Sequence, residues 1–211
     1  MRKKPTNKVG LTFQPHDDCL YLAFFKPYDV VSQFTSNEEQ HNLSEFGFPP
    51  LVYALGRLDS DSEGLLVLSD DTRLNNLLLN PVNEHARTYL AQVENIPSEE
   101  ALNRLRAGVM IKNQKTKPCK AELLDEEPDL PPRTVPIRFR KNIPTCWIRL
   151  TLTEGKNRQV RRMTAAIGHP TLRLVRWSIG GLALDSLRLE PGQWHKLDKA
   201  QVISLFQRLP L

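Results

Sequence analysis

Residues Arg87 to Val93 alternate with a period of two, which puts Tyr89, Ala91 and Val93 on one face and Thr88, Leu90 and Gln92 on the other. Successive side chains leave opposite faces of a strand, so this segment is expected to be a half-buried strand. Cys146 to Thr153 repeats the pattern, with Ile148, Leu150 and Leu152 inward and Trp147, Arg149 and Thr151 outward. The chain must therefore build a sheet. Leu20 to Phe25 and Gly64 to Ser69 read as buried strands, the first stopped by Lys26-Pro27 and the second by Asp70-Asp71. Thr171 to Ile179 and Leu182 to Leu189 read as two more, around a Gly180-Gly181 turn. Residues 32–50 form a loop before the apolar run Leu51 to Leu55, and residues 125–144 are proline-rich and irregular.

Helices are marked by their punctuation. Thr72 to Leu79 has helical composition and stops at Asn80-Pro81, while Ser98 caps a helix that Gly108 ends. Arg158 to Ile167 is bounded by Asn157 as its cap and by Gly168 and Pro170, and Lys199 to Leu209 closes the chain as a helix. At 100° per residue Arg158, Arg161 and Arg162 fall within an arc of about 100°, opposite Val160, Met163 and Ile167. One face of that helix packs and the other is cationic.

With 211 residues, 40% of them apolar, the chain can bury one substantial core or two small lobes sharing a cleft. The expected organisation is a basic flexible tail over residues 1–18 and one compact unit over 19–211. No apolar stretch approaches the roughly 20 residues that cross a bilayer, and Met1-Arg-Lys-Lys4 is followed by no signal-like segment. A monomeric cytoplasmic protein with no membrane association is expected. Cys19, Cys119 and Cys146 lack the paired spacing of a zinc site or redox dithiol, so no metal is expected. The 29 Lys and Arg outnumber the 24 Asp and Glu, which favours a polyanionic partner. Lys156, Arg158, Arg161, Arg162, Arg173 and Arg176 crowd one C-terminal stretch, where a basic surface is expected.

Asp59 lies in a polar turn, Gly56-Arg-Leu-Asp-Ser-Asp-Ser-Glu-Gly64, between two apolar runs. Taken alone, the carboxylate could simply accept backbone hydrogen bonds in an Asx turn. The turn does not stand alone. Gly-Arg-Leu-Asp59 followed by Ser62 and Gly64-Leu-Leu resembles the signature of the RsuA/RluA-type pseudouridine synthases. Lys26-Pro27 resembles that family's Lys-Pro-x-Gly element, Arg87-Thr-Tyr89 its Lys-x-Tyr, and Glu154 to Met163 the basic motif of its RsuA branch. Gly192 to Leu197 is similar to its closing element. Two positions depart from the pattern: Asp29 stands where the family has glycine, and Arg87 where it has lysine.

The resemblance implies an α+β fold with a central, mostly antiparallel sheet in two lobes, flanked by helices, and an RNA cleft between the lobes. It implies isomerisation of a uridine in ribosomal RNA, without cofactor or metal. About twenty residues before the first core strand leave no room for the S4 RNA-binding domain of most RsuA-branch enzymes, as in short members that act on 23S ribosomal RNA. The expected partner is therefore 23S rRNA or a large-subunit precursor, with 16S rRNA or tRNA as the alternative target. A non-catalytic rRNA-binding assembly factor and a carboxylate hydrolase are the alternatives in other classes. Asp59 is implied as the catalytic carboxylate, Tyr89 as the residue packing on the base, and Arg161 as the cation paired with Asp59. For Tyr89 the plain alternative is an ordinary strand aromatic, and for Arg161 a phosphate contact. Arg57, Lys26, Arg87, Lys156, Arg158 and Arg162 are expected to bind RNA, with a structural role as the other reading of Lys26.

Overall fold

The computed structural model describes residues 13–37, 39–137 and 142–207. Its centre is a mixed sheet whose main strands, in chain order, are β1 (Tyr21–Lys26), β2 (Glu63–Ser69), β3 (Arg87–Glu94), β4 (Lys120–Leu123), β5 (Thr145–Leu152), β6 (Thr171–Ile179) and β7 (Trp194–Lys196). They lie side by side in the order β7-β1-β2-β6-β3-β5-β4, with Tyr53–Ala54 added to β2 and Leu182–Ala183 to β6. Within this sheet β2 and β6 run parallel and the other pairings are antiparallel. Among the described residues four helices accompany it: α1 (Thr72–Leu79), α2 (Glu99–Arg106), α3 (Gln159–Ala166) and α4 (Lys199–Ser204). None is long and apolar enough to cross a membrane.

Both faces of the sheet are covered, and unequally. One face carries a continuous core that joins Ala23, Val67, Val175 and Leu90 to Leu74 and Leu78 of α1 and to Val202 and Leu205 at α4. The opposite face has two separate cores. At one end Phe24, Leu66 and Leu68 pack under Leu43, Phe46 and Phe48. At the other, Ala91, Val93, Ile148 and Leu174 pack under Leu102 and Leu105 of α2 and Val160 and Met163 of α3. These are the two lobes, and the gap between them falls where β2, β6 and β3 adjoin.

Several boundaries differ from expectation. Residues 1–12 of the expected tail lie outside the described residues, but Phe13 is buried and stacks on Phe206 at 4.8 Å, so the packed body starts before residue 18. Trp147 is buried in the continuous core, not outward, because β5 is an interior strand with both faces covered. The run after Gly181 is a strand only over Leu182–Ala183 before a 3-10 turn at Asp185–Leu187. The last helix ends at Ser204, and residues 208–211 are outside the description. Ser98 caps α2 as expected, accepting from the Ala101 amide at 3.2 Å. The cap of α3 is Arg158 in the left-handed conformation, without a side-chain cap bond; Asn157 instead accepts from Arg162.

Candidate active site

The floor of the gap is a cross-strand row. Lys26 pairs with Gly64, Gly64 with Arg176, Arg176 with Tyr89 and Tyr89 with Leu150. Gly64 is required there by close approach: at φ +107°, a Cβ would lie 2.4 Å from the Arg176 carbonyl oxygen. Above the row opens a cleft of about 710 Å³, lined by Arg57, Asp59, Arg87, Tyr89, Arg158 and Arg176 among others. That volume is ample for one extruded nucleotide.

The loop that carries Asp59 is held from below. The Ser32 hydroxyl donates to the Leu58 carbonyl at 2.9 Å and accepts from the Leu58 amide at 3.1 Å. The Asp29 amide donates to the Ser60 carbonyl at 2.8 Å. Asp29 itself has φ 64°, so it takes the left-handed conformation that the family glycine would supply. With its backbone pinned on both sides, Asp59 holds its carboxylate in the cleft, where its side chain is 34% exposed.

Helix α3 supplies the cationic wall. Arg158 grips Asp61 with both terminal nitrogens at 3.0 and 2.8 Å, and its Nη1 stands 3.7 Å from Asp59. Arg161, with a side chain only 12% exposed, donates to the Asp61 main-chain oxygen at 2.6 Å and to the Thr171 oxygen at 3.3 Å. Its Nε is 3.4 Å from the Asp61 carboxylate. Burial alone would raise the Asp61 carboxyl, but these arginines outweigh it and hold the group below the usual range. Arg162 turns back to the Asn157 carbonyl and side chain.

The geometry therefore redistributes the expected roles. Among the described residues, Arg158 reaches Asp59 within 4 Å, whereas Arg161 reaches Asp61. The reason is position on the helix: Arg158 is its cap, facing the turn, while Arg161 lies one turn deeper and ties that turn to β6. Arg57 is exposed at the rim, and Arg87 donates to the Leu78 carbonyl from the cleft wall. Lys156 is shared between Glu154 and the Lys115 carbonyl. Asp61 and Ser32 were not singled out from the sequence, and neither was Arg176 as a site residue. Its signal was present, since Leu174 and Arg176 share the inward parity of a strand, where a cation is out of place.

Lys26 is a correction. It was expected among the RNA contacts, but it is 0% exposed, and its ammonium donates to the Pro27, Val30 and Ser60 carbonyls at 2.8, 2.6 and 3.4 Å. It staples β1 to the Asp59 loop. Lys26→Met should cost about 1–3 kcal/mol by leaving those acceptors unpaired, while the salt dependence of RNA binding stays at the wild-type slope. Burial pulls the ammonium down to about 7, so between there and the ordinary value of 10.5 the unfolded chain binds the extra proton. Stability linked to this group must then rise with pH across that window and stay level at its lowest value below about 7. Denaturant melts from pH 7 to 10 should show the rise flattened in Lys26→Met.

A family model described as RNA pseudouridylate synthase matches residues 20–166. The chain is 53% identical over 164 residues to a protein of Xanthomonas axonopodis pv. citri named ribosomal large subunit pseudouridine synthase E, covering 77% of this chain and 86% of that one. It is 49% identical to a protein of the same name in Vibrio vulnificus, covering 83% and 74%. Among solved structures, one titled as a crystal structure of pseudouridylate synthase superposes with a TM-score of 0.73 at 28% identity, over 89% of this chain and 74% of the other. The motifs, the two-lobed sheet and these likenesses converge, and the chain belongs to the RNA pseudouridylate synthase family.

Proposed function

We propose that this enzyme isomerises a uridine in the RNA of the large ribosomal subunit, 23S rRNA or its precursor, with Asp59 as the catalytic carboxylate. The names of the two relatives near 50% identity support the target. The observation that carries the chemistry is a carboxylate held at the mouth of a nucleotide-sized cleft that has Tyr89 and Arg176 on its floor. Isomerisation breaks the C1′–N1 bond, turns the base, forms C1′–C5, and moves the C5 proton off the ring. The carboxylate serves as nucleophile or as base, and either route needs it ionised and fixed. Arg158 stands 3.7 Å from it, and the Ser32 and Arg161 contacts fix its loop. Tyr89 meets the extruded base on its flat side, and Arg57 and Arg162 hold the flanking phosphates.

The test is tritium release from RNA labelled at uridine C5, comparing unmodified large-subunit, small-subunit and transfer RNA transcripts. Release from large-subunit RNA alone is expected. Release confined to small-subunit or transfer RNA would overturn the target, and binding without release from any would favour an assembly factor.

A further inference from the structure

Arg176 is 3% exposed, and yet no carboxylate among the described residues pairs with its charge. A guanidinium carries five N–H donors. Here Nε donates to the Leu65 carbonyl at 2.7 Å, while Nη2 is buried with no hydrogen-bond partner. Among the described residues, no carboxylate lies within ion-pair distance of it. Glu63, the acid nearest along the strands, is taken by Arg173 through two bonds at 3.0 and 2.8 Å. The other groups facing Arg176 are the Tyr89 hydroxyl, which is close enough to hydrogen-bond it, and the cations Arg87 and Lys26. Lys26, the second buried cation of the same row, is satisfied by three carbonyls. Arg176 is not. Burying a guanidinium without an anion is costly, and an interior group left so is a candidate for function.

We infer that Arg176 is the electrostatic partner of the uracil ring at the moment the glycosidic bond breaks. When C1′–N1 cleaves, its electron pair leaves with the base, and the negative charge spreads from N1 onto the carbonyl oxygens O2 and O4. The anion gives up that charge when C5 bonds to C1′, with the Asp59 carboxylate leaving C1′ if it had bonded there, and transfer of the C5 proton to N1 then restores the conjugated ring. The missing anion of Arg176 is thus one that exists only during reaction. Its guanidinium is a fixed positive charge beside the place where a negative charge has yet to form, which stabilises the transition state without tightening ground-state binding. The position fits, since Arg176 lines the cleft floor beside Tyr89. The inference rests on the reading of this cleft as the uridine site.

The experiment compares wild type, Arg176→Met and Arg176→Lys in single turnover at saturating RNA, with uridine or 5-fluorouridine at the target position. Fluorine at C5 withdraws electron density from the departing base, so cleavage of its C1′–N1 bond depends less on Arg176. With no C5 proton to lose, the rate compared for both RNAs is that of C1′–N1 cleavage. For uridine, Arg176→Met should lose on the order of 10²–10³ in rate, as removal of one oxyanion donor does, with RNA affinity within a few-fold. The ratio of 5-fluorouridine to uridine rates should rise several-fold over wild type. A merely structural role would lower both rates alike, and an unchanged ratio overturns the inference. Should Arg176→Met fail to fold, the ratio in Arg176→Lys decides, because its ammonium is shorter and lacks the forked donors. A wild-type protein that converts neither RNA would overturn the underlying reading of the cleft.

Discussion

Asp59→Asn should lower the single-turnover rate at saturating RNA by a factor on the order of 10⁴, the scale seen when an essential catalytic group is removed. The amide keeps the shape of the carboxylate but cannot act as nucleophile or base. The fold should not notice. Asp59 is one-third exposed and its nearest cation is 3.7 Å away, so stability should stay within about 0.5 kcal/mol of wild type. RNA affinity should remain within a few-fold. The check is tritium release beside filter binding and a thermal melt, and release near the wild-type rate would remove Asp59 from the mechanism.

Arg161→Ala is the second large expected effect, and it acts through position. Its guanidinium joins α3, the Asp61 main chain and Thr171 of β6, so its loss frees the turn that aims Asp59. A displacement of about 1 Å at a reacting group can cost 10²-fold in rate, and that loss is expected at saturating RNA, where added substrate cannot restore it. Arg162→Ala should behave oppositely. Among the described residues it forms no ion pair with a carboxylate, so its removal should weaken binding and lower the slope of log affinity against log salt by about 0.7–0.9 while sparing the saturating rate. Arg158→Ala should show both losses in smaller measure, because its fork is committed to Asp61 and its edge to Asp59. Binding at several salt concentrations and single-turnover rates for the three variants separate these outcomes. If Arg161→Ala loses only affinity, the turn is held by something else.

What could be foreseen of the fold follows from periodicity and punctuation. Thr72–Leu79 and Thr171–Ile179 match expectation to the residue, because Asp71, Asn80 and Gly180 bound them chemically. Trp147 was misplaced since alternation cannot distinguish an outer face bathed in water from one covered by a second core. Phe13 was missed because a lone aromatic in a basic stretch has no period to report it. In the site, the motifs bring Asp59, Tyr89 and Arg158 to one cleft, but which arginine meets which aspartate depends on the left-handed cap at Arg158, a backbone choice without a composition signature. Lys26 shows the same limit in reverse. A lysine beside proline reads as surface, and only the three converging carbonyls make its burial affordable.

The most direct test maps pseudouridine across the ribosomal RNA of cells lacking this gene and of the same cells carrying the wild-type or Asp59→Asn protein. One pseudouridine in large-subunit RNA should vanish with the gene, return with wild type and stay absent with Asp59→Asn at equal protein level. An unchanged large-subunit map in the deletion, or restoration of the site by Asp59→Asn, would contradict the account.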